Sequence, residues 1–248
     1  MSHAAAVVER RLLAGVPLLI VHPAGRVTPL PTVLWFHGFG ADKELHLPEL
    51  QRFAGAGLLA IGIDAVGHGQ RRLADFEQRF AQPPEHASRL FDSLVAQTAA
   101  ELPQLIDALV DCGLVDCGRI AVAGVSMGGC IVYGASSSDC PLRAAVALMG
   151  SPAWLHPDGA DFPVDRFFPT ALLSITAEND EVVPPMAARA LHGQLEARYR
   201  QDPERLDYRT IAGASHFMSP EDWSHVLHQT GAWLVRFAAD GDSDVRGE

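Results

Sequence analysis

Short apolar runs alternate with longer amphipathic stretches along most of this chain, and that alternation leaves few folds open. The runs are Val16 to Val21, Thr32 to Phe36, Leu58 to Ile63, Arg119 to Ala123, Ala144 to Leu148, Ala171 to Thr176 and Leu206 to Ile211. Most are apolar throughout rather than every second residue, as strands are when both sheet faces are covered. The stretches between them carry apolar residues near the helical period: Leu47 to Ala56, Phe91 to Val110, Met127 to Ser137, Pro184 to Tyr199 and Pro220 to Phe237. Pro103 is expected to kink the second of these, and Ser219 reads as the N-cap of the last. Strands alternating with helices predict an α/β fold, a mainly parallel sheet with helices on both faces.

Two segments fit the alternation poorly. Gly69 to Ser88 is polar and Arg-rich, and Gly150 to Pro169 is rich in proline and aromatic residues. Each follows a strand end, where open α/β sheets hold their ligands, so both are expected to wall a pocket. His68, Arg71, Arg72, Trp154 and His156 are candidates to line it.

The sharpest local signal is Gly124-Val125-Ser126-Met127-Gly128, with Gly129 after it. This is G-x-S-x-G between an apolar strand and a small-residue helix start, the setting of a nucleophile elbow. A bare match to the pattern means little. Here the turn must be sharp, and Gly124 and Gly128 supply room for it. A serine hydroxyl needs a base, and the base needs an orienting carboxylate. His216 lies in the small-residue loop Ala212 to Phe217 after the last strand, whereas His192, His225 and His228 fall inside helical stretches. Asp180 sits at the turn after Ala171 to Thr176, with Glu178 as runner-up and Glu181 beside it. An oxyanion also needs backbone N–H donors. Met127 follows the nucleophile, and Phe39 lies in the His37-Gly38-Phe39-Gly40 loop after another strand. His37 reads as a brace for that loop, and Asp64 as a brace for the glycine-rich turn Asp64 to Gly69.

Charge and composition remove other classes. Nineteen Lys and Arg against 30 Asp and Glu leave a formal charge of −11. Such a surface repels nucleic-acid backbones and anionic membranes. The cysteines Cys112, Cys117, Cys130 and Cys140 form no C-x-x-C pair and read as free thiols in a reducing compartment. No apolar run nears the roughly 20 residues of a membrane span. Arg10 and Arg11 precede an apolar stretch, but Gly15 and Pro17 interrupt it, so no signal peptide is expected and the protein reads as cytoplasmic. Residues 1–239 are expected to form one domain and 240–248 a polar tail.

Taken together, the stretches from about Thr32 to His216 resemble the α/β-hydrolase superfamily. These are His37 to Gly40 with Lys43-Glu44, Asp64 to Arg72, Gly124 to Gly129, Leu148 to Pro152, Asp180 to Pro184 and Gly213 to His216. More narrowly, the chain is similar to small bacterial serine carboxylesterases of the prolyl-oligopeptidase and dienelactone-hydrolase-like branch. The resemblance implies an eight-stranded, mostly parallel sheet and neither metal nor cofactor. Dienelactone hydrolases proper carry cysteine where this chain has Ser126. Without a long insertion between Cys140 and Thr170 or between Thr176 and His216, no large lid is expected. The expected activity is hydrolysis of short acyl esters through Ser126, Asp180 and His216, with a small-molecule ester as partner. Peptidase, thioesterase and acyltransferase chemistry use the same groups and stay open, as does a non-catalytic ligand-binding member of the fold, although that reading calls for a missing triad residue and none is missing.

Overall fold

The computed structural model describes residues 6–25, 29–155 and 162–239. Its centre is one eight-stranded sheet in the order β1-β2-β4-β3-β5-β6-β7-β8. The strands are β1 (Ala6–Leu13), β2 (Val16–Pro23), β3 (Leu30–Phe36), β4 (Leu59–Ile63), β5 (Val115–Val125), β6 (Leu142–Leu148), β7 (Ala171–Ala177) and β8 (Leu206–Ile211). β1 and β2 are antiparallel, β2 joins β4 antiparallel, and every pairing from β4 to β8 is parallel. The helices are α1 (Leu47–Gly55), α2 (Phe76–Phe80), α3 (Pro84–Asp111), α4 (Met127–Ser136), α5 (Met186–Leu195) and α6 (Pro220–Leu234).

The core divides by the two-residue period of the strands. Leu18, Ile20, Leu34 and Phe36 pack with α3, α4 and α5 on one face. Leu19, Val21, Val33 and Trp35 pack with α1 and α6 on the other. Each of these strand residues is buried, which explains why the runs are apolar throughout.

Two features depart from the expectation. β1 was not foreseen. Its exposure alternates along Ala6–Leu13, and Glu9, Arg10 and Arg11 hide the apolar half of the pattern. Gly15, which interrupts the apolar stretch, is the second residue of a two-residue hairpin turn. Ala14 and Gly15 have φ of 49° and 78°, the left-handed pair such a turn demands. α3 begins at Pro84 rather than Phe91, because its first turns bury nothing and leave no apolar period to read. Pro103 lies inside α3, which continues past it. The N-cap of α6 is as expected: the Ser219 hydroxyl accepts from the Asp222 N–H at 3.1 Å. The tail 240–248 lies outside the described residues. None of the described helices is long and apolar enough to cross a membrane.

Candidate active site

The G-x-S-x-G turn is as tight as its sequence requires. Ser126 has φ 58° and ψ −115°, a conformation that costs a residue with a Cβ about 1–3 kcal/mol. The strain is held by packing. A Cβ on Gly128 would lie 2.2 Å from the Phe36 carbonyl oxygen, and one on Gly124 would lie 2.6 Å from the Gly128 backbone. Only bare backbone lets β3, β5 and α4 meet this closely. The Ser126 N–H donates to the Leu148 carbonyl at 2.8 Å, and the Cys130 N–H donates to the Ser126 carbonyl at 3.0 Å.

Ser126 meets the two residues expected from loops far along the chain. Ser126 Oγ lies 2.9 Å from His216 Nε2, and His216 Nδ1 lies 2.8 Å from Asp180 Oδ2. An ionised carboxylate only accepts, so Nδ1 carries the ring proton and Nε2 is free to accept from the serine. The other Asp180 oxygen accepts from Val182 N–H at 3.0 Å and Val183 N–H at 2.7 Å, which fixes the carboxylate plane. The loops that present the pair are zipped together. Asn179 N–H donates to Ala214 carbonyl at 2.8 Å, Glu178 N–H to Ile211 carbonyl at 3.1 Å, and Gly213 N–H to Glu178 Oε2 at 2.7 Å. Glu178 therefore has a different task from Asp180: it ties down the loop that bears the histidine. His192 is buried against Ser174 at 2.8 Å, and His225 and His228 are exposed on α6.

The His37 loop lies where an oxyanion loop would have to be. A Cβ on Gly38 would sit 3.7 Å from Ser126 Cβ. Among the described residues, the N–H groups of Phe39 and Met127 have no backbone or side-chain acceptor. His37 braces this loop as expected. Its Nδ1 lies 2.8 Å from the Gly38 carbonyl, and its Nε2 accepts the Ala65 N–H at 3.1 Å. Asp64 is the second brace. It accepts from Lys43 N–H, Lys43 Nζ and Gln70 N–H, each at 2.9 Å. Burial alone would raise this carboxyl. The Gln70 and Lys43 hydrogen bonds overcome that and hold it below the ordinary carboxylate range. The buried Lys43–Asp64 pair, which nothing in the spacing of the two residues announces, ties the segment after β3 to the end of β4.

These buried histidines make stability depend on pH. Burial pushes His37 and His192 down from 6.5 to about 4. The unfolded chain then takes up its protons first, so stability is complete above pH 6.5 and lost as pH falls towards 4. The expected loss is on the order of 3 kcal/mol for each histidine. Urea unfolding between pH 7 and 4 should show a falling free energy, with a shallower fall in His192→Gln. Stability that rises on acidification in this window would contradict it.

A cavity of about 460 Å³ opens beside Ser126. Its walls include Phe39, Phe80, Ala87, Ser88, Phe91, Asp92, Cys130, Trp154 and the segment Val182 to Pro184. Both segments expected as walls contribute, through residues 80, 87 and 88 and through residues 151, 153 and 154. His156 lies outside the described residues. The expectation for His68, Arg71 and Arg72 needs correction. His68 is buried against Phe39 and Phe76, Arg71 binds the Asp64 carbonyl and Glu101, and Arg72 pairs with Glu77. Sequence reasoning missed Asp92, Cys130 and Val182 to Pro184. Ser88, Phe91 and Asp92 sit at i, i+3 and i+4, a shared helix face, but only a helix starting before residue 88 makes that visible. The cysteines Cys112, Cys117, Cys130 and Cys140 are all unpaired.

No protein-family model matches the chain. Two curated proteins are similar to it. Esterase YjfP of Escherichia coli K12 is 32% identical over 145 residues, 58% of this chain and 55% of that protein. The match thus spans little more than half of that relative's length. The Bacillus subtilis protein named Putative esterase YitV is 27% identical over 84% of this chain and 92% of its own length. Among solved structures, one named Putative Dienelactone Hydrolase, from Klebsiella pneumoniae, superposes with a TM-score of 0.71. It shares 20% identity and covers 94% of this chain and 100% of itself.

Proposed function

We propose that this chain is an α/β-hydrolase of the esterase and dienelactone-hydrolase-like branch, and that it hydrolyses short-chain carboxylic esters through an acyl-enzyme. The observation that carries this reading is the hydrogen-bonded chain from Ser126 through His216 to Asp180, at 2.9 and 2.8 Å, at the edge of an open cavity.

The geometry supports the following steps. Ser126 Oγ attacks the ester carbonyl carbon while His216 Nε2 takes the hydroxyl proton. Asp180 holds the ring in the tautomer that can accept it and steadies the imidazolium that forms. Negative charge on the carbonyl oxygen is met by the unengaged N–H groups of Phe39 and Met127, aided by the N-terminus of α4. The imidazolium then protonates the departing alkoxide. A water molecule deprotonated by His216 attacks the acyl carbonyl, releases the acid and restores Ser126. A cavity of about 460 Å³ with aromatic walls suits a short acyl group better than a long chain.

Purified protein is expected to hydrolyse p-nitrophenyl acetate and butyrate faster than the palmitate. A fluorophosphonate should stop this turnover, with the label found by mass spectrometry on the peptide containing Ser126. Amides, thioesters and added alcohol acceptors in the same assay separate esterase from peptidase, thioesterase and acyltransferase activity. Turnover of none of these, with no label on Ser126, would overturn the reading.

A further inference from the structure

Among the described residues lining the cavity beside Ser126, Asp92 is the one with an ionised side chain. The surface around it is otherwise aromatic, aliphatic or neutral, with Phe39, Phe80, Phe91 and Trp154 supplying four rings. Asp92 forms no ion pair or hydrogen bond with any described residue. The arginines of the neighbouring segments are committed elsewhere. Arg71 pairs with Glu101 and Arg72 with Glu77, and Arg89, one turn before Asp92 on α3, donates to the Glu85 carbonyl at 3.2 Å. Asp92 is exposed, so water solvates it until a ligand covers it, and a wholly apolar ligand would strip that water and offer nothing in return. The carboxylate becomes an asset when the ligand is a cation, and aromatic faces attract the same charge.

We propose that Asp92 and the aromatic walls select esters that carry an ammonium group. The identity of the ligand as an ester rests on the hydrolase reading above; the preference for positive charge rests on the wall itself. Two further observations agree with it. Asp92 is exposed at the cavity, yet the apolar walls desolvate its carboxyl enough to hold it above its ordinary value, with no partner to offset that. The Asp92 charge also reaches the first turn of α4: after burial, it helps push the Cys130 thiol up to about 11. Asp92, Ser126 and Cys130 line the same cavity, so a cation held by Asp92 shares that space with the reacting carbonyl. The formal charge of −11 favours approach of such a substrate.

The test compares cations with neutral isosteres. On the alcohol side, the butyrate ester of choline is set against 3,3-dimethylbutyl butyrate. On the acyl side, the p-nitrophenyl ester of 4-trimethylammoniobutyrate is set against that of 5,5-dimethylhexanoate. The wild-type protein is expected to favour the cation in kcat/KM by about tenfold on at least one side, a ratio in the range of a partly solvated cation–π and ion-pair contact. Asp92→Asn should bring that ratio close to one, and Asp92→Lys should invert it. A ratio cancels any loss common to both substrates. Binding of choline and 3,3-dimethylbutanol to Ser126→Ala protein, measured by calorimetry, gives the same comparison without turnover. A ratio of one in these measurements, or a cation preference that Asp92→Asn leaves intact, would overturn the inference. Failure of all ester turnover would instead strike the hydrolase reading, and the calorimetric arm would still decide on Asp92.

Discussion

Replacing Ser126 with glycine should abolish turnover and at the same time leave the protein more stable than Ser126→Ala. Both variants lose the attacking oxygen. Removing the nucleophile of a serine hydrolase costs roughly 10⁴- to 10⁶-fold in kcat, because the remaining groups only bind and polarise the ester. The two differ in backbone strain. Alanine keeps a Cβ at φ 58° and ψ −115°, and the close contacts among Gly124, Gly128 and Phe36 prevent the turn from relaxing. Glycine adopts this conformation without penalty but gives up more chain entropy on folding, about 0.5–1 kcal/mol. Set against a strain of 1–3 kcal/mol, the balance favours glycine by about 1 kcal/mol. Steady-state hydrolysis of p-nitrophenyl acetate and urea unfolding of the three proteins check both halves. Activity within a hundredfold of wild type in either variant would place the nucleophile elsewhere. Equal stability would mean that the elbow is not strained.

The second large effect is expected from Asp180→Asn. The amide oxygen can keep the Val182 and Val183 N–H bonds at 3.0 and 2.7 Å, so the turn should survive. The amide NH2 then faces His216 Nδ1 across a contact of 2.8 Å. Two donors cannot share that space, so the ring moves its proton to Nε2. A protonated Nε2 cannot accept from Ser126. The expected fall in kcat is about 10⁴-fold, with KM and unfolding free energy nearly unchanged. Glu178→Gln is the control. Its carboxylate accepts from Gly213 N–H, a bond that glutamine can keep, so kcat should fall by only roughly twofold. If the two variants lose activity to the same extent, the division of labour between these acids is wrong.

The site was legible where the chemistry demands a particular residue in a particular turn. The elbow needs glycines at fixed offsets, and a histidine in a small-residue loop after the last strand stands out from histidines in helices. The parallel strands were legible because burial on both faces leaves a continuous apolar run. Legibility failed where one face is solvated. β1 is a charged edge strand, and the first turns of α3 touch nothing that would impose a period. That second failure concealed Asp92. Long-range pairs were also invisible. Lys43 and Asp64 lie 21 residues apart, and only the parallel pairing of β3 with β4 brings the segments that follow them together.

α3 is one helix with two unlike halves. Nothing in it before Leu94 is buried, while Leu94, Val95, Ala99, Leu102, Leu105, Ile106 and Leu109 are locked into the core. Substitutions in the inner half are tested first by whether the protein folds. Substitutions at Ser88, Phe91 and Asp92 are tested by what the cavity admits. A lineage can therefore change its substrate through a few outer positions of α3 while the sheet, the elbow and the histidine loop stay as they are. Divergence in this helix should be lopsided, fast at the end that meets the ligand and slow at the end that meets the strands.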